Sequence, residues 1–245
     1  MDSLDESFLK SIGTYFNFHT DVLDAIKETK QESFVTSYDD YIFISFSLLN
    51  KDGFSGISIP YSISLILGAG YLFTFQRSGE DIFNGSDKFL EFNREVRMRD
   101  ADYLLYFLLN LLVDKYDTRL KDVKEKLSEW WDLVAKKRSV FHGNVADLKK
   151  ELSILSKNLN SISEVTSSIM GEDSFLIKES TRKCLHALYK RLNLFLSGIS
   201  LLMDSISSLF MFSVSHNLHK FERKINLLLL LTVILSLLCI FLLFT

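Results

Sequence analysis

Apolar residues follow two rhythms along this chain of 245 residues. Between Tyr41 and Gln76 they come in short β-branched and aromatic runs: Tyr41 to Leu49, Gly56 to Pro60, Ser62 to Leu67 and Tyr71 to Gln76. Asn50-Lys-Asp-Gly53 and Gly68-Ala-Gly70 separate them as turn signals, which predicts a small, largely antiparallel sheet. Pro60, the only proline, marks an edge or a bend, because it has no N–H to give a ladder. Residues 1 to about 35 read as a polar, partly helical lead-in with Asp21 to Lys30 its best helix, and Asp81 to Arg97 reads as an amphipathic helix.

From Asp100 onward the period is helical. Asp100 is placed to N-cap a long helix whose Leu104, Leu105, Leu108, Leu112, Leu120, Val123, Leu127, Trp130 and Val134 keep one face to near Arg138. Lys121, Asp122, Lys124, Glu125 and Lys126 lie opposite as a solvated face. Gly143-Asn144 predicts a reversal, and Leu148, Leu152, Leu155, Leu159 and Ile162 resume the pattern over Val145 to Met170, giving a helical hairpin. Gly171-Glu-Asp173-Ser174 punctuates the start of a last helix running uninterrupted from about Ser174 to Thr245.

That last helix would be on the order of 100 Å long at about 1.5 Å per residue, several times a bilayer's hydrocarbon core. Leu185, Leu188, Leu192, Phe195, Ile199, Leu202, Ile206 and Leu209 form an a/d seam that wants partner helices. Leu194, Leu196, Leu201, Met203 and Phe210 widen the apolar face, which suits an oligomer of more than two chains. From Ile225 to Thr245 no charged residue occurs, a Leu-rich run long enough to cross a membrane. Lys220, Arg223 and Lys224 flank only its N-terminal end. The bulk of the chain is therefore expected in the cytoplasm and the C-terminus on the far side.

The expected fold class is α+β: a small α/β/α domain over residues 1–98, a hairpin over 99–172, a stalk helix over 173–224 and a transmembrane helix over 225–245. Net charge is −3, too balanced to argue for nucleic acid. Cys184 and Cys239 make neither a disulfide scaffold nor a zinc cluster. The acidic N-terminus lacks the order of a secretory signal, so insertion falls to the C-terminal segment. No phosphate-gripping loop, nucleophile elbow or zinc signature occurs, since Gly68-Ala-Gly70 lies between strands; no enzyme and no catalytic cofactor are expected.

In this order the elements resemble the CorA family of divalent-cation channels. Ile63-Ser-Leu-Ile-Leu67-Gly-Ala-Gly-Tyr71-Leu-Phe-Thr-Phe75 is similar to the family's apolar strand, tight turn and strand. Asp102-Tyr-Leu-Leu-Tyr106 followed by Leu111-Leu-Val-Asp114-Lys-Tyr116 is similar to its helix-opening pattern. The resemblance covers nearly the whole chain and implies a homopentamer whose stalk helices funnel ions into a pore lined by the first transmembrane helix. The family continues into a Gly-Met-Asn loop and a second span, whereas this sequence stops at Leu243-Phe-Thr245, as a truncated product or a one-span relative would. The family's acidic stalk positions fall on Arg182-Lys-Cys184-Leu-His186, which lack carboxylates for a hard cation.

In the span, Ile225, Leu229, Thr232, Ser236, Cys239 and Leu243 share one stripe, so a symmetric assembly would turn Thr232 and Ser236 into polar rings; small polar residues also let membrane helices pack or bond to their own backbone, and both readings stand. Asn226 sits at the pore mouth as a candidate ion contact or an ordinary interfacial residue. His216, His219 and Glu222 recur every third position and offer transition-metal ligands or simply a polar juxtamembrane turn. Lys220, Arg223 and Lys224 would form basic rings that set topology or tune ion entry, and Asp204 reads as a surface acid. The preferred reading is an inner-membrane channel for divalent cations, Mg²⁺ first, gated by its cytoplasmic domain. The rival is a CorA-like effector opened by a small nucleotide messenger, as in relatives attached to antiviral CRISPR systems; a poreless membrane scaffold is the third.

Overall fold

A computed structural model describes residues 6–28, 33–51, 58–77, 83, 96, 98–136 and 142–244. The side chains of residues 50–51, 58–59, 77, 135, 142–144, 216–217, 219–220 and 237–244 lie outside the described set. The elements run α1 (Glu6–Tyr15), α2 (Thr20–Lys27), β1 (Phe34–Ser37), β2 (Tyr41–Lys51), β3 (Ser58–Gly68), β4 (Tyr71–Arg77), α3 (Ala101–Ala135), α4 (His142–Gly171) and α5 (Glu179–Phe244). The chain groups into two compact units, residues 1–122 with 150–200, and residues 123–149 with 201–245.

In the first unit the four strands form an antiparallel meander in the order β1-β2-β3-β4. Period-2 alternation sends Tyr41 and Phe43 of β2 to one face, where Leu9 of α1 and Val22 and Ile26 of α2 bury them. Ile42, Ile44, Phe46 and Leu48 point the other way and are fully buried, as are Ile63, Leu65 and Leu67 opposite them on β3. On that second face the hydroxyls of Tyr61 (β3) and Tyr116 (α3) are hydrogen-bonded. Helices thus cover both faces of the sheet.

Several expectations need correction. The lead-in is not merely polar: α1 buries Leu9 to 1% exposure, because Leu9, Ile12 and Phe16 recur at helical spacing. Strand β1, four residues long, is too brief to show alternation in the sequence. The runs on either side of Pro60 are one strand, since Pro60 pairs with Leu49 inside β3. Its missing N–H does no harm there. The amide and carbonyl of Leu49 face outward to Asn158 of α4, so this is a non-hydrogen-bonded pair and the Pro60 nitrogen points away from β2, beyond the end of β4 pairing at Ser62.

The Asp81 to Arg97 helix falls almost entirely outside the described residues. Gly143-Asn144 lies within the first turn of α4, not in the reversal, and α5 begins at Glu179 instead of Ser174. Ser174 caps a separate turn, its Oγ accepting the Leu176 N–H at 3.2 Å. The predicted faces of α3 and α4 hold in most positions: Leu105, Leu108, Leu112, Leu120, Val123, Leu127 and Val134 are buried and Leu104 and Trp130 half-buried, Leu148, Leu152, Leu155, Leu159 and Ile162 are buried, and Lys121, Asp122, Lys124, Glu125 and Lys126 are exposed.

Ala69-Gly70 closes the β3–β4 hairpin, with Gly70 at φ 85° and open space where a Cβ would stand. Gly70→Ala therefore isolates backbone strain, and a thermal melt should show about 1–2 kcal/mol of lost stability. An unchanged melting temperature would mean that the turn relaxes at no cost.

Candidate functional site

Helix α5 carries the residues singled out for function, and its first turns are keyed to α3. Lys178 is its N-cap residue, with Arg182 N–H donating to the Lys178 carbonyl at 2.9 Å. The Lys178 N–H donates to Asp102 Oδ2 at 2.9 Å, and Asp102 Oδ1 accepts the Tyr103 N–H at 2.9 Å. Asp100 holds the cap position of α3, its carbonyl accepting from Tyr103 and Leu104, while its carboxylate pairs with the Lys178 ammonium. That pairing raises the Lys178 pKa through the hydrogen bond and the charge of Asp100.

One turn on, the Arg182 guanidinium donates to the carbonyls of Met170 and Glu172 and so closes the C-terminal end of α4, where the helix dipole favours a cation. A base thus satisfies the last carbonyls of α4. Arg191 reaches Asp114 Oδ1 at 2.6 Å and Asn110 Oδ1 at 3.2 Å on α3, with Asp117 at 3.9 Å. These pairs are partly exposed, so each is worth about 1 kcal/mol at most.

The a/d seam is largely occupied within the chain. Leu185, Leu188, Leu192 and Ile199 are buried in the first unit, and Ile206 and Leu209 in the second, with Phe195 and Leu202 half-buried. Apolar residues left exposed on α5 before the uncharged run are others: Leu194 in the first unit, and Leu201, Met211, Phe212, Leu218 and Phe221 in the second. In the second unit Trp131 Nε1 donates to Ser205 Oγ at 3.3 Å, and Asp204 is exposed.

By length and hydropathy, one stretch among the described residues is apolar enough to cross a membrane, Glu179–Ser215, at mean hydropathy 1.6. Physical context disfavours it as the spanning piece: Leu185, Leu188, Leu192, Ile199, Ile206 and Leu209 of its seam are buried, and its first turns pair with charged residues of α3. Ile225 to Ser236 behaves differently, with every side chain exposed and none charged. Asn226 and Leu229 are exposed there, and Glu222, Arg223 and Lys224 precede them, also exposed. Thr232 Oγ1 donates to the Leu229 carbonyl and Ser236 Oγ to that of Val233, each at 2.8 Å. Both hydroxyl protons are thus committed to the helix backbone, and each oxygen keeps its lone pairs. The side chains of His216, His219, Lys220, Cys239 and Leu243 lie outside the described residues. Among the described residues no cluster of His, Cys, Asp or Glu is arranged to hold a metal.

Asp102, Lys178 and Asn158 were not singled out by sequence as positioning residues. The available signal was an acid in the first turn of α3; nothing local pairs it with a residue 76 positions on.

Among known proteins, the cobalt/magnesium transport protein CorA of Thermotoga maritima is 28% identical over 177 residues, 71% of this chain and 50% of the relative. The chain thus spans about half the length of that curated relative. In fold, it is similar to the complete CorA magnesium transporter of Methanocaldococcus jannaschii, with a TM-score of 0.77 at 17% identity over 93% of this chain and 72% of that one. It is also similar to full-length CmaX, with a TM-score of 0.76 at 16% identity over 86% of this chain and 64% of that one. The family profile described as "CorA-like Mg2+ transporter protein" matches residues 1–240, from α1 through nearly all of α5, and on that match the chain belongs to the CorA family.

Proposed function

We propose that this protein is a membrane channel for divalent metal cations, with Mg²⁺ its first candidate, and that Ile225 to Thr245 of α5 crosses the inner membrane. The observation that carries the proposal is a helix that leaves a CorA-type cytoplasmic fold and turns uncharged and exposed on every side from Ile225 to Ser236. Such a surface is costly in water and suits lipid and neighbouring helices. Lys220, Arg223 and Lys224 before it set the N-terminal bulk on the cytoplasmic side.

A pore needs several copies around one axis, and a pentamer is the expected count. With the a/d seam largely covered by the chain itself, the exposed Leu194, Leu201, Met211, Phe212, Leu218 and Phe221 are surfaces left for other copies. Around the axis, Thr232 and Ser236 would present oxygens whose protons are held by the backbone, a polarity that suits a cation. Asn226, Leu229, Cys239 and Leu243 complete the proposed lining, and His216, His219, Lys220, Arg223 and Lys224 the mouth. Transport calls for no catalytic residue.

The test is ion flux into liposomes holding a Mg²⁺-sensitive dye, for the chain as it stands and with Thr232→Leu and Ser236→Leu combined. Flux should occur without nucleotide and fall at least roughly tenfold in the double variant, as the loss of polar partners worth ~1–3 kcal/mol predicts. Liposomes that stay tight until a nucleotide is added would replace this reading with the messenger-gated effector. Liposomes tight under all conditions would leave a scaffold.

A further inference from the structure

A single buried carboxylate joins the start of α3 to the start of α5. Asp102 is 3% exposed and accepts two backbone N–H groups, each at 2.9 Å: that of Tyr103 in the first turn of α3, and that of Lys178, the N-cap of α5. Helix N-termini carry the positive end of the helix dipole, so two helices of 35 and 66 residues end on one negative charge, with the Tyr103 N–H shared between Asp102 and the Asp100 carbonyl. The Asp100–Lys178 ion pair lies outside it, with both side chains about three-fifths exposed, where solvent screens it.

We infer that Asp102 is a positioning residue, the joint that makes the first turns of α5 move with α3 as one body. The bonds to the buried carboxylate hold the joint; the exposed ion pair only covers it. Since α3 also packs on the sheet through Tyr116 and Tyr61, a displacement of the cytoplasmic sheet would be delivered to the N-terminal end of α5 through this carboxylate. The inference rests on the proposed reading only for the consequence that α5 carries such a motion toward the membrane; the joint itself belongs to the first unit.

Asp102→Asn keeps one acceptor oxygen but turns an NH₂ toward one of the two N–H donors, which sets donor against donor. Asp102→Ala removes both bonds. Lys178→Met removes only the outer ion pair.

The experiment uses the full chain in lipid, with Cys184→Ser and Cys239→Ser, nitroxide labels on Asp122→Cys and Asn193→Cys, and labelled chains diluted with unlabelled ones. Electron–electron distance distributions are read alongside amide hydrogen exchange of residues 176–184. Asp102→Ala and Asp102→Asn should broaden the distribution and speed exchange at Lys178 at least tenfold. Lys178→Met should change exchange less than twofold and leave the distribution narrow. A narrow distribution and unchanged exchange in both Asp102 variants would overturn the joint. Equal broadening in Lys178→Met would overturn the primacy of the buried bonds. If Asp102→Ala does not fold, Asp102→Asn and Lys178→Pro, which deletes the N–H donor while leaving the carboxylate, decide the same question. Flux measured separately on the unlabelled chain, with Cys184 and Cys239 in place, separates the two proposals: no flux there sinks the channel, whereas the distance data alone judge the joint.

Discussion

Leu235→Arg is expected to weaken membrane insertion of the chain by roughly a hundredfold, while Leu201→Arg leaves insertion intact. Both leucines are exposed on α5, at 66% and 71%, and both lie in apolar surroundings, so hydropathy alone does not separate them. Leu235 lies midway along the uncharged run from Ile225 to Thr245, where an arginine in the bilayer centre costs about 2.5–3.5 kcal/mol by insertion scales. That is roughly a hundredfold or more against insertion. Leu201 belongs to the stretch Glu179–Ser215, which also passes the length-and-hydropathy test. If that stretch stays in water, an arginine there keeps its hydration. Alkaline extraction of membranes checks both variants: Leu235→Arg should move to the soluble or aggregated fraction and Leu201→Arg should stay in the pellet. The reverse pattern would relocate the span to the earlier stretch and remove the basis for placing Thr232 and Ser236 in a pore.

Asn158→Ala should cost about 3 kcal/mol, a drop of roughly 6–12 °C in melting temperature for a chain of this size. Among the described residues, strand β1 pairs with β2 from Ile42 to Ser45, and the outward backbone groups of Ser47 and Leu49 meet side chains of α4. Asn158 Oδ1 accepts the Leu49 N–H at 2.7 Å, its Nδ2 donates to the Leu49 carbonyl at 2.9 Å, and Ser161 Oγ donates to the Ser47 carbonyl at 3.0 Å. Nδ2 also donates to the Tyr116 hydroxyl at 3.1 Å. Burial pushes the Tyr116 phenol up to about 12, with the Asn158 and Tyr61 hydrogen bonds and the Arg119 charge opposing that rise. Alanine would strand a donor and an acceptor of Leu49 together, each at about 1–3 kcal/mol when water cannot replace the partner. Asn160→Ala, an exposed asparagine on the same helix, should stay within about 0.5 kcal/mol. Equal melting temperatures for the two variants would mean that water reaches Leu49 and the edge needs no helix.

The division between what was legible and what was not follows the range of the interactions. The faces of α3 and α4, the sheet runs, the Gly68-Ala-Gly70 hairpin and the seam of α5 were readable because periodicity is local: a buried stripe repeats within one element whatever covers it. The absence of charge after Lys224 was readable for the same reason, being a property of composition alone.

The sequence named the seam of α5 but not its occupant, and the chain's own packing, not another copy, buries Leu185, Leu188, Leu192 and Ile199. Likewise Pro60 reads as a bend until the register shows its nitrogen turned away from β2, and α1 reads as lead-in until the sheet face above Leu9 exists to bury it. By itself, the sequence determined the β2 and β4 runs, the three long helices with their buried faces, and the family. Tertiary structure alone decided that Asp102 meets Lys178 and that Asn158 completes the edge of β2, because those partners are 76 and 109 residues apart and no local period encodes which buried donor a distant acceptor will find.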